Sequence, residues 1–221
     1  MHLASTFFWA AALVAPVLSQ IDLKTAKTYG CLASSGITNT GFTVITGDIG
    51  TTGSTITGFP PGLYTGTSQT GTSAVTQARA DAAAAYDTAQ GLLGGVDSTD
   101  NSALGGRTLL PGIYTYHSGV LLSGILTLNA AGNSSAIFVF QIASTLLVAS
   151  SSSMVLINGA NACNIYWAVG SSATLGTNSA FAGKILAYAS ISLTTGASNQ
   201  GGLYAGAAIT LQSNDVVVKS C

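Results

Sequence analysis

One short phrase recurs at a fixed interval of eighteen residues: Ala173-Thr174-Leu175, Ile191-Ser192-Leu193 and Ile209-Thr210-Leu211. Helical bundles and hairpin sheets have no reason to keep such a period. A β-solenoid does, because three faces of roughly six residues, with one short strand on each, make a coil of about eighteen, and coils stack through neighbour contacts only. Alternation then separates the two sides of each strand. Ala173, Leu175, Ile191, Leu193, Ile209 and Leu211 are predicted to face inward. That sends outward Ser172, Thr174 and Gly176, then Ser190, Ser192 and Thr194, then Ala208, Thr210 and Gln212. The earlier segment Thr145-Leu146-Leu147-Val148 is predicted to join the same face with Thr145 and Leu147 outward. The outer ladder is therefore small, mostly hydroxylated and uncharged.

A second face has a different pattern. Ile165-Tyr166-Trp167-Ala168-Val169, Lys184-Ile185-Leu186-Ala187-Tyr188 and Leu203-Tyr204-Ala205 are apolar on both sides, the mark of strands covered on both sides. The cover is supplied by the one segment with helical period. From about residue 73 to 93, apolar or small residues recur at Val75, Ala78, Ala82, Ala85, Tyr86, Ala89 and Leu92. Thr72 or Ser73 caps its start and Gly94-Gly95 ends it. The predicted fold is mostly β: a three-faced β-helix with one long α-helix along it, with Trp167, Leu186 and Tyr204 beneath the helix. Asp97 to Gly106 reads as a polar excursion between the helix and the later strands.

The ends of the chain set its context. Residues 1–19 read as a signal peptide: Phe7 to Val17 is apolar but too short to span a bilayer, and Val17 and Ser19 supply small residues for cleavage before Gln20. The alternative is an N-terminal core strand. Residues 20–221 are then one secreted, extracellular domain, and no later run spans a membrane. Cys31, Cys163 and Cys221 fit either one disulfide with a thiol left over or three separate buried thiols. Their spacing matches no zinc site. Of the pairings, Cys31 with Cys221 closes the longest loop and so restricts the unfolded chain most. Asn133-Ser134-Ser135 is an N-glycosylation sequon in a polar turn.

Charge excludes several classes of function. Only 6% of residues are charged, glutamate is absent, and Thr108 to Ala182 contains no charged residue. Six basic residues spread along the chain offer no nucleic-acid surface. Catalysis lacks its usual groups too: after cleavage His117 is the single histidine, and the aspartates are scattered. A polysaccharide lyase on a β-helix would want clustered aspartates for calcium and a base, and neither cluster is visible. Asp48, in a Gly-Asp-Ile-Gly turn, and Asp215, in Ser-Asn-Asp, read as turn formers rather than metal ligands. No catalytic residue, metal or cofactor is assigned.

Six segments in order then carry a resemblance: Ile45-Thr46-Gly47-Asp48-Ile49-Gly50-Thr51, Pro60-Pro61-Gly62-Leu63-Tyr64, Leu110-Pro111-Gly112-Ile113-Tyr114, Phe138-Val139-Phe140-Gln141-Ile142, Asn164-Ile165-Tyr166-Trp167 and Gly183-Lys184-Ile185-Leu186-Ala187. Together they resemble the microbial ice-binding proteins, through about residues 25 to 218. The resemblance implies a discontinuous right-handed β-solenoid whose N-terminal strands form an end coil, with one long helix along it and the C-terminal coil inserted next to the first. Cys31 and Cys221 would then lie in neighbouring coils. It also implies that the flat ice-binding face falls on the ladder above, with Ser35 contributed by the first coil. This chain lacks a strict repeated Thr-x-Thr array, so the face is expected to be irregular.

The implied function is adsorption to an ice crystal, with thermal hysteresis and inhibition of recrystallisation; a monomer is expected, because a helix-covered solenoid with capped ends exposes little apolar edge. A separate physical argument supports it. Adjacent coils lie about 4.8 Å apart, near a lattice repeat of ice of roughly 4.5 Å, so equivalent groups on successive coils can register with ordered water. Small apolar groups constrain that water and hydroxyls anchor it. The alternatives are a secreted structural or adhesin-like cell-surface module whose Ser/Thr faces are merely solvated, and a polysaccharide-active β-helix enzyme.

Overall fold

The leucine phrases form short strands, and each coil contributes one strand to each of three parallel sheets. The computed structural model describes residues 21–219. The predicted signal peptide and Cys221 lie outside the described residues. The sheets contain nine, seven and eight strands, and every strand pairing is between parallel neighbours. Residues of the repeated phrases meet in register, with Ala173 opposite Ile191 and Ile191 opposite Ile209. The predicted inward residues Ala173, Leu175, Ile191, Leu193, Ile209 and Leu211 are all buried in one continuous core.

The coils do not stack in chain order. Tyr29–Ala33, Gly36–Thr40 and Val44–Thr46 form the first coil, and Asp48–Thr51, Thr55–Thr57 and Leu63–Tyr64 the next; Ser68–Thr70 then brings the chain to one end of the stack. The helix Ser73–Gly91 returns it along the nine-stranded sheet to the opposite end. There Val96–Asp97 pairs with Gly112–Tyr116 and starts a second run of coils, so the segment read as a polar excursion opens that run. The run winds back until its last coil, Leu203–Ala205, Ala208–Gln212 and Asp215–Val217, pairs with all three strands of the first. The implied insertion of the C-terminal coil next to the first is thus present.

The helix begins as expected, with the Thr72 hydroxyl accepting from the Val75 N–H at 3.3 Å. Its end is different. The helix stops at Gly91, and Gln141 of the neighbouring sheet closes it, donating from Nε2 to the carbonyls of Ala89, Gln90 and Leu92 at 2.9, 3.2 and 2.8 Å. Val75, Ala78, Ala82, Ala85 and Ala89 are buried against a layer that includes Leu32, Val139, Tyr166, Leu186 and Tyr204. Alanine lets the helix axis lie close to the sheet.

Two expectations need correction. Trp167 is not beneath the helix: it pairs with Ile185, which pairs with Leu203, and all three face the solenoid interior. Tyr166 and Ala168 occupy the helix side instead. The error is one residue of register, which exchanges the two faces of a strand. Trp167 in fact stacks on Phe140 with centroids 3.8 Å apart, and Phe140 on Tyr114 at 5.5 Å, a column of rings inside the coils. Nor does Cys31 pair with Cys221. Cys31 is a free thiol with no exposure, pointing into the core from the middle of the first coil.

Candidate functional site

The seven-stranded sheet carries the predicted ladder. Its strands run Val120–Leu122, Leu146–Val148, Ala173–Leu175, Ile191–Leu193, Ala208–Gln212, Gly36–Thr40 and Thr55–Thr57. Register pairs align one outward column through its middle: Leu121, Leu147, Thr174, Ser192, Thr210, Thr38 and Thr57. Outward residues here are partly or fully exposed while their neighbours along each strand are buried. Five successive coils place a hydroxyl in the central column, and two place a leucine there.

The hydroxyls fall into two groups. Those of Thr174, Ser192, Thr210, Thr38 and Thr57 make no hydrogen bond to another protein group among the described residues, so they are left to solvent. Three of the flanking ones, Ser172, Ser190 and Thr194, are engaged within the protein. Ser172 Oγ accepts from the Ser190 N–H at 3.3 Å, and Ser190 Oγ from the Ala208 N–H at 3.4 Å, each tying its coil to the next. Thr194 donates to the Leu175 carbonyl at 3.0 Å.

Other predicted members occupy different places. Thr145 is exposed just ahead of Leu146–Val148, and Gln212 is exposed opposite Thr40. Ser35 sits in the bend before Gly36–Thr40, its N–H donating to the Ala207 carbonyl at 3.0 Å, so it belongs to the corner rather than the strand. Gly176 closes a tight approach, where a Cβ would come within 2.6 Å of both Ser150 N and Val148 O. It supplies backbone clearance and no side chain.

Sequence reasoning missed Thr38, Thr40, Thr55, Thr57 and Leu121. The signal was present as Thr38-Asn39-Thr40 and Thr55-Ile56-Thr57, two Thr-x-Thr phrases ahead of the helix. They are nineteen residues apart in register, not eighteen, and they join the C-terminal ladder only because the last coil inserts beside the first.

No Asp, Lys or Arg lies in any strand of this sheet, whereas the nine-stranded sheet holds Asp48, Asp97 and Lys184 and the eight-stranded sheet holds Asp215. The charged groups elsewhere serve local structure. Burial would raise the Asp48 pKa, but hydrogen bonds from the Thr28 side chain and from the Thr67 backbone and hydroxyl outweigh it and hold the carboxyl below its ordinary range. Lys184 lies 4.5 Å over the Tyr166 ring and donates to the Cys163 carbonyl; burial lowers its pKa to about 8. His117 is exposed, 3.8 Å from Asp97. Among the described residues no three His, Cys, Asp or Glu are grouped to hold a metal, and no helix is long and apolar enough to cross a membrane.

Such a surface can order water and can do little covalent chemistry. It is a repeating, uncharged array with hydroxyls at coil spacing and apolar atoms between them. Comparison with known proteins points the same way. A family model described as Ice-binding-like matches residues 31–217. An ice-binding protein of Nostoc sp. (strain HG1) is 47% identical over 197 residues, covering 88% of this chain and 72% of that protein. The crystal structure of an ice-binding protein from the Antarctic ascomycete Antarctomyces psychrotrophicus matches with a TM-score of 0.90 at 49% identity, over 92% of this chain and 100% of that one. A glycosylated ice-binding protein from an Arctic yeast matches with a TM-score of 0.85 at 29% identity, over 91% and 95% of the two chains.

Proposed function

The chain belongs to the ice-binding family, and from that premise we propose that it is a secreted, monomeric antifreeze protein that adsorbs to ice through its seven-stranded sheet. The observation that carries this reading is the central column of unengaged hydroxyls, Thr174, Ser192, Thr210, Thr38 and Thr57, on the one sheet whose strands bear no charge. A charged side chain holds its own hydration shell and would compete with lattice-ordered water; here none stands in the way. The methyls of the threonines and the small residues beside them constrain water, and the hydroxyls fix its position. The scaffold is pre-formed, so little conformational entropy is lost on adsorption.

No reaction follows from this arrangement. Adsorbed molecules pin the ice front, the front bulges between them, and the added curvature halts growth and recrystallisation. The face includes the predicted residues Thr145, Leu147, Ser172, Thr174, Ser190, Ser192, Thr194, Ala208, Thr210 and Gln212, extended by Thr38, Thr40, Thr55 and Thr57. Ser35 and Gly176 frame it.

The test is a set of bulky substitutions read by thermal hysteresis. Thr210→Tyr and Thr38→Tyr each break the plane and are expected to remove most of the hysteresis while leaving the circular dichroism spectrum unchanged. Val155→Tyr, at a site 40% exposed on the eight-stranded sheet, is expected to leave it intact. Full hysteresis in both threonine variants would move the site to another face. Absence of ice shaping and recrystallisation inhibition by the parent protein would instead favour a solvated cell-surface module.

A further inference from the structure

We propose that the cleft at the corner between the eight- and nine-stranded sheets is a binding site for a small oxyanion, a phosphate or a carboxylate, held by Lys184, Tyr166 and Tyr204. The cleft measures about 650 Å³. Its walls come from the N-terminal segment 21–28, from Thr46 and Gly47 of the first coil, and from the coils that carry Lys184 and Tyr204. Positive charge is concentrated there. Lys27, Lys184 and Lys219 are three of the six basic residues in the chain, and Asp22 is the one acidic residue among the described residues that line the cleft.

Register brings the three holding groups side by side. Tyr166 pairs with Lys184 on the next strand, and the N–H of Ile185, the residue after Lys184, bonds to the Gly202 carbonyl at 3.0 Å. Tyr166, Leu186 and Tyr204 lie on the helix side of the nine-stranded sheet, and alternation places Lys184, two residues before Leu186, on that side as well. Tyr204 leans back over Gly202: a Cβ on that glycine would lie 2.3 Å from the Tyr204 hydroxyl. The missing side chain at Gly202 therefore leaves the room in which the hydroxyl sits, beside Lys184 and in the cleft wall.

The hydrogen bonds leave donors over. Lys184 Nζ donates to the Cys163 carbonyl and, at 3.3 Å, to the Tyr166 hydroxyl, which engages two of its three protons. Tyr166 accepts that bond and keeps its own proton to donate. Tyr204 is only 2% exposed, yet its hydroxyl has no protein partner among the described residues. Nor does any carboxylate among them lie within ion-pair distance of Lys184. A buried hydroxyl without a partner and a half-buried cation without a counter-ion are both costly. An ammonium flanked by two donating hydroxyls is the complement of a negatively charged group that only accepts, which is an oxyanion. The corner lies away from the seven-stranded sheet, so the site does not depend on the adsorption reading.

Calorimetric titration of the full secreted chain with inorganic phosphate, at low ionic strength and mildly acidic pH, is expected to show one saturable site with a Kd in the millimolar range. Tyr204→Phe deletes a hydroxyl that no protein group uses. It is expected to keep the parent's melting temperature in phosphate-free buffer and its full hysteresis, and to weaken phosphate binding about tenfold. Lys184→Met should abolish binding. Thr210→Tyr, on the seven-stranded sheet, should bind phosphate like the parent, so failure of the cleft and failure of the ice face are read separately. Acetate titrated in the same way separates the two sources: a carboxylate site takes it at least as tightly as phosphate, a phosphate site more weakly, and either pattern supports the proposal. Saturation by neither anion, or equal affinity in the parent and Tyr204→Phe, would overturn it.

Discussion

At the scale of single residues, what separates the members of the ladder is whether their hydroxyls are already used. Ser172, Ser190 and Thr194 bond to the protein, so they bind coil to coil, whereas Thr174, Ser192 and Thr210 present theirs to solvent. No sequence rule distinguishes them, because both groups are Ser or Thr at outward positions. The carboxylates away from the face set the pH behaviour. Asp81 is held low chiefly by the Thr25 hydroxyl, with the Thr25 N–H and Gln77 adding to it against its desolvation; Asp48 is held low by Thr28 and Thr67 against its own. A carboxyl depressed in the folded state contributes fully above its unfolded pKa, about 4, and loses that contribution as pH falls through the folded value. The melting temperature is therefore expected to be flat above about pH 5 and to fall below about pH 4. Asp48→Asn combined with Asp81→Asn should flatten that fall, which calorimetry across pH would show. Hysteresis should stay constant wherever the fold is intact, since the face carries no titrating group.

Among the elements, the helix shows most plainly how far local signals reach. Its start at Thr72 or Ser73 and its alanine face were legible, because capping and amphipathic spacing are local properties. Its C-terminus was not. Gln141 lies about fifty residues away in sequence and only the stacking of coils brings it under the last turn. It is buried, and its Oε1 accepts from Thr115 at 2.7 Å while its Nε2 serves three helix carbonyls. Gln141→Leu would leave those groups without partners, at a cost of about 2–3 kcal/mol, measurable by urea denaturation. The Trp167 error belongs to this scale as well: a strand apolar on both sides gives no alternation from which to tell inside from helix side.

For the whole molecule, the corners matter as much as the sheets. Asn133 lies between Ile125–Asn129 of the eight-stranded sheet and Phe138–Ile142 of the nine-stranded one, so its corner does not border the seven-stranded sheet. Its side chain caps the turn by accepting from the Ser135 N–H at 3.0 Å. A glycan there would project away from the proposed ice face, and its enzymatic removal is expected to leave hysteresis unchanged; a marked loss or gain would place that corner at the ice. The reversed order of coils has a second consequence. It joins Thr38 and Thr57, from before the helix, to Thr174, Ser192 and Thr210, from the far end of the chain.

By itself the sequence determined the repeat, the inward leucines and isoleucines, the uncharged outer residues and the helix, because each rests on a period or a cap contained within a few residues of chain. Tertiary structure alone decided which repeats are neighbours. The last coil pairs with the first rather than ending the stack, and that single long-range pairing extends the hydroxyl column to five coils and covers the strand that holds Cys31 in the core. Periodicity specifies how a coil is built; the order of the stack depends on contacts between residues far apart in sequence, which no local pattern encodes.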